Sequence, residues 1–162
     1  MGFAAAIRIQ SEDFDASAEI AALRAGELQA GAVCSFIGAV RGAGGGAAVQ
    51  AMELEHYPGM TERAIAAMAD AARARFADIL GVRIVHRVGR LPPGAQIVFV
   101  AVSARHRGQS FAACEFLMDY LKTQAPFWKK EFTAEGARWV DARESDDAAL
   151  ARWGVAAPAM AG

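Results

Sequence analysis

A chain of 162 residues is about one domain's worth, long enough to bury a core without disulfides or metals. Its 17 Lys+Arg against 18 Asp+Glu leave a formal net charge of −1, which argues against a general nucleic-acid binder but leaves room for a local basic pocket. Much of the 54% hydrophobic share is alanine, and the longest strongly apolar run, Ile97–Val102, is far short of a membrane span of roughly 20 residues. The start, MGFAAAIR, has neither a basic n-region nor a long apolar stretch, so no signal peptide is expected. Cys34 and Cys114 form no metal motif and no disulfide framework. The expectation is a cytoplasmic protein with one domain over 1–153 and a loose Ala/Gly/Pro tail over 154–162.

In chain order, Ala6–Gln10 reads as a first strand. Asp15 caps a helix with Ala16, Ile20 and Leu23 at helical spacing. Ala32–Val40 is a strand rich in Val, Ile and Phe, followed by a flexible Gly-rich loop over Arg41–Gly46. Val49–His56 alternates, and a helix follows over Thr61–Phe76 with Ile65, Met68, Ala69, Ala72 and Phe76 in one stripe. Val82–Val88 alternates again, Leu91–Gly94 turns, and the uniformly apolar Ile97–Val102 suggests a central strand covered on both faces. Ser110–Thr123 is a helix with Phe111, Cys114, Leu117, Met118 and Leu121 inward, stopped by Pro126. Two short strands, Phe127–Phe132 and Arg138–Val140, and a helix over Ser145–Trp153 complete the pattern. Strand pairs alternating with helices predict an α+β fold, a mainly antiparallel sheet with helices packed on one side.

Three places could carry chemistry. Arg105-His106-Arg107-Gly108 sits between the central strand and a helix start, where two guanidiniums, an imidazole and the helix dipole favour an anion. A solvated basic turn explains the same residues slightly better. Lys122 and Lys129 flank Pro126, Phe127 and Trp128. A lysine at a helix C-terminus is usually there for the dipole. Here, though, a stiff proline step and two aromatic rings exclude water beside a pair of amines, which suits nucleophilic or acid–base work. Arg41 precedes the glycines of a loop that matches no phosphate-binding P-loop. His56, His86 and His106 have no metal-site spacing, and His56 and His86 read as packed or half-exposed structural residues.

The stretches FIGAVR (36–41), LEHYPGMT (54–61), HRVG (86–89), ARHR (104–107), MDYLKTQAPFWK (118–129) and WVDARESD (139–146) together resemble the large, catalytic subunit of molybdopterin synthase. The resemblance runs in the family's order across nearly the whole chain. It implies an α/β hammerhead fold with a ferredoxin-like part. It also implies a homodimer of this subunit, with a small ubiquitin-like sulfur-carrier subunit docked at each end. The implied reaction transfers two sulfurs from the carrier's C-terminal Gly-Gly thiocarboxylate to cyclic pyranopterin monophosphate, giving the dithiolene of molybdopterin. No metal or organic cofactor, nucleic acid or membrane is implied. Carried over by motif, Ala39, Val40, Arg41, His106, Arg107, Lys122, Lys129, Lys130 and Glu131 fall in the substrate and carrier-tail pocket. Lys122 is assigned the reacting centre with Lys129 in support; Arg41, His106 and Arg107 are assigned to anion binding. The competing reading is a non-catalytic ferredoxin-like domain that binds a small anion, which leaves the Lys122/Lys129 pair unexplained.

Overall fold

The computed structural model describes residues 3–44, 47–140 and 144–154. Gly45, Gly46, the 141–143 part of the WVDARESD stretch and the tail from residue 155 lie outside the described residues.

Two sheets carry the fold. In the first, β1 (Ala4–Gln10), β5 (Ile79–Arg87), β7 (Gln96–Ala104) and β2 (Ala32–Ala39) lie side by side in that order. The β1–β5 pair is parallel, and the other two pairs are antiparallel. In the second, β4 (Ala47–His56) pairs with β8 (Phe127–Thr133), β8 with β9 (Gly136–Val140), and the short β3 (Ala43–Gly44) and β6 (Gly89–Leu91) add to β4. The predicted Gly-rich loop thus begins as a hairpin, Ala43 and Gly44 pairing with Ala48 and Ala47.

β7 is the expected central strand, buried from Val98 to Ala104. Its even-numbered valines 98, 100 and 102 meet Val82 and Ile84 of β5 beneath α2 (Met60–Arg75) and α3 (Arg107–Gln124). The predicted α2 stripe of Ile65, Met68, Ala69, Ala72 and Phe76 is buried throughout. The odd-numbered Phe99 and Ala101 face the other way and, with Val85 and Phe14, receive Ala16, Ile20 and Leu23 of α1 (Ala16–Arg24). Helices therefore cover both faces of the first sheet, not one side as the element order suggested. Asp15 caps α1 as predicted, accepting from the Ala18 N–H. The carboxylate of Glu19 holds α1 down by bridging Arg8 and Arg83 on the sheet.

α3 departs from its predicted face at one residue. Ser110, Ala113, Cys114, Phe116, Leu117, Met118 and Leu121 are buried, but Phe111 is 61% exposed. α4 (Glu144–Ala151) packs beside α3, and Trp153 beyond it meets Phe76 and Phe116 edge-on. Among the described residues no helix is long and apolar enough to cross a membrane, and no group of three or more His, Cys, Asp or Glu could hold a metal ion.

Candidate active site

The two sheets and the C-terminal end of α3 enclose a cleft of about 120 Å³. Lys122 reaches it from the last turn of α3, and Lys129 from β8. The peptide between them is held at three points. Pro126 ends the helix. The buried Thr61 hydroxyl donates to the Pro126 carbonyl at 3.1 Å, tying the turn to the start of α2. Phe127 stacks on His86 with ring centroids 3.8 Å apart. Lys122 is exposed at the rim and Lys129 is half-buried. The wall is apolar: Phe36, Ile97, Val98, Met118, Leu121 and Phe127.

On the β2 side the wall is formed by Gly38 and Ala39. A Cβ at Gly38 would lie 2.9 Å from Val98 Cγ1 and 3.3 Å from the Phe36 ring. Glycine there lets β2 pass close to β7 and keeps the cleft open. Val40 turns away from the cleft and is buried with Val49, Leu54 and Leu91. Arg41, two residues past Ala39, is exposed and is not part of the lining.

The other motif residues lie elsewhere in the chain. Arg107 is fifteen residues along α3 from Lys122, roughly 22 Å at 1.5 Å per residue. Next to it His106 caps the helix with extended backbone. Its N–H donates to the Asp78 carboxylate at 2.9 Å, and its ring Nδ1 lies 3.1 Å from the same oxygen. A carboxylate of the chain itself already takes part of the helix N-terminus that sequence spacing offered to an anion. Arg107 remains exposed. Lys130 alternates to the opposite face of β8 from Lys129, its ammonium 5.3 Å from the Trp139 ring and 5.7 Å from Phe132. Glu131 shares the Lys129 face and pairs with Arg138 at 3.0 Å.

A family model described as MoaE protein matches residues 9–124. The chain belongs to the MoaE family. A relative from Ralstonia nicotianae named molybdopterin synthase catalytic subunit is 64% identical over 149 residues, covering 92% of this chain and 84% of that one. The solved structure of the molybdopterin biosynthesis MoaE protein from Burkholderia ambifaria superposes with a TM-score of 0.81 at 62% identity, over 93% of this chain and 99% of that one. A complex of subunits 1 and 2 of the molybdopterin-converting factor from Helicobacter pylori contains a chain of the same fold, with a TM-score of 0.66 at 18% identity over 85% and 91% of the two chains.

The family's motif stretches meet in space only in part. Ala39, Lys122 and Lys129 meet at the cleft, and so does His86 of the HRVG stretch, which sequence reasoning set aside. Its signal was the chain order: on β5 the face carrying Val82 and Ile84 continues to His86, so a polar ring ends an otherwise apolar stripe.

Proposed function

We propose that this chain is the catalytic subunit of molybdopterin synthase. It would carry two sulfurs from the C-terminal thiocarboxylate of a small ubiquitin-like carrier to cyclic pyranopterin monophosphate. The convergence of Lys122 and Lys129, from two different elements, on one apolar-walled cleft supports this reading most strongly. An extended carrier tail ending in a thiocarboxylate and a phosphorylated substrate both bring negative charge, and two ammonium groups beside a water-poor wall receive them. Lys122 contacts the thiocarboxylate and moves a proton, and Lys129 stabilises the developing charge. A non-catalytic domain that binds a small anion leaves this pair without a task.

The pocket requires a second copy of the chain. Arg107, Phe111 and Lys122 lie along one edge of α3, within roughly 60° of one another at 100° per residue. That edge adjoins β2, the last strand of its sheet, whose Phe36 and Ile37 are exposed alongside Phe111. In a two-fold dimer packed along this edge, residue i of one protomer meets j of the other and the reverse. The His106–Arg107 turn of one copy then reaches the Lys122 end of its partner and supplies the anion site that one protomer lacks there. Arg41 and Glu131 are assigned to the rim around the incoming carrier tail, Lys130 to contact with the carrier on the outer face of β8, and Ala39 and Val40 position the backbone beside the tail. The cytoplasm is the assigned setting for this reaction.

The test is incubation of the chain with thiocarboxylated carrier and cyclic pyranopterin monophosphate. Dithiolene product that depends on the chain is expected. A folded chain that binds neither carrier nor pterin contradicts the proposal.

A further inference from the structure

The cleft contains one polar group that the sulfur transfer as proposed does not use, the imidazole of His86. It is 7% exposed and lies nearly parallel to the Phe127 ring, at 16°. Nδ1 is 2.8 Å from the Arg87 carbonyl oxygen. A carbonyl can only accept, so Nδ1 carries the proton and donates. Nε2 is left as an acceptor. The ionisable groups facing the ring are Lys129 on β8, Lys122 on α3 and His56 on β4. Burial first, and these neighbours after it, bring the imidazole pKa down from 6.5 to about 4. The ring is neutral at physiological pH and keeps its Nε2 lone pair.

No other side chain of the lining matches this property. Lys122 and Lys129 donate only, and the remaining side chains are apolar. A flat heterocycle that enters the cleft and carries ring N–H groups has one side chain to donate to. We propose that His86 is the hydrogen-bond acceptor by which the cleft recognises an N–H on the edge of its heterocyclic ligand. This rests on the reading that the pterin ring occupies the cleft. Phe127, stacked on the imidazole, fixes the ring plane, and Nδ1–H on the Arg87 carbonyl fixes the tautomer. Discrimination follows from the cost of an unpaired acceptor: a ligand with N–H at this edge is held, and one with a substituent there leaves Nε2 without its partner.

The experiment measures equilibrium binding of cyclic pyranopterin monophosphate to the complex of this chain with carrier that ends in an ordinary carboxylate, so that no turnover occurs. His86→Phe keeps a ring against Phe127 and deletes the acceptor. Its affinity is expected to fall roughly 10- to 100-fold, the scale of one lost buried hydrogen bond. Carrier binding should be unchanged, and the loss should appear in pterin affinity more than in the rate at saturating pterin. His86→Gln, with an amide oxygen to accept, should recover part of the loss. An analogue N-methylated at the recognised edge should bind the native chain weakly and lose nothing further on His86→Phe. Equal affinity of the native chain and the Phe variant overturns the proposal. So does a fall in rate with affinity intact, which would make the imidazole a partner of the lysines instead. Absence of pterin binding by the native complex overturns the functional reading itself, and the His86 assignment falls with it.

Discussion

Cysteine is the residue on which the source of sulfur turns. Cys114 is buried on α3 against the Val100 carbonyl, and its thiol is pushed up to about 12, by burial first and by the adjoining Cys34 second. Thiol chemistry needs thiolate and access, and Cys114 has neither. The Cys34→Ala, Cys114→Ala double variant is therefore expected to form product from thiocarboxylated carrier at close to the native single-turnover yield, with a packing loss of about 1 kcal/mol. A folded double variant that binds carrier and transfers no sulfur would place a cysteine of this chain in the transfer. At this scale the sequence was legible where a residue's type limits it: Asp15 as a cap, Pro126 as a stop, Thr61 and Phe127 as small anchors only in hindsight. His86 was not legible, because a histidine on a buried strand looks the same whether its ring meets core or cleft. Phe111 was misplaced because it lies at the border of the α3 stripe, where spacing alone does not separate buried from exposed.

At the scale of elements, periodicity located the helices well and their side of the sheet poorly. The α1 stripe of Ala16, Ile20 and Leu23 was correct, yet nothing in it says which face of the sheet it covers. Phe99 and Ala101 on the second face of β7 decide that, together with the Glu19 bridge to Arg8 and Arg83. Burial raises the Glu19 pKa, but the hydrogen bonds from Arg83 and Arg8 outweigh it, and the net value lies below 4.5. The folded chain thus binds this proton less tightly than the unfolded chain. The contribution to stability is complete above about pH 4.5 and is lost as the pH falls through the lower folded value. Glu19→Gln is expected to cost about 1–3 kcal/mol at pH 7 and to flatten the acid limb of the stability curve. Urea titrations at pH 7 and pH 3 measure both. A variant whose stability falls with acid as steeply as the native chain would remove Glu19 from this role.

For the whole molecule, the His106–Arg107 turn and the lysine cleft occupy opposite ends of one helix, and the proposed two-fold dimer would join them. That predicts complementation. Arg107→Ala and Lys122→Ala chains, each close to inactive alone, form mixed dimers in which one of two pockets is intact. Random exchange of equal amounts should restore about a quarter of native activity, since half the dimers are mixed and each has one working site. Mixtures no more active than their components would mean that both residues act within one protomer.

The most direct measurement is single-turnover product formation by the native chain, Lys122→Ala and Lys122→Arg, each with thiocarboxylated carrier and cyclic pyranopterin monophosphate. Lys122 ends a helix, is exposed and lies off its buried stripe, so truncation should leave folding and carrier binding intact. Dithiolene product is expected with the native chain and almost none with Lys122→Ala. Lys122→Arg should remain well below native, because arginine keeps the charge but does not release a proton. Native-like turnover by Lys122→Ala would contradict the placement of the reacting centre in this cleft.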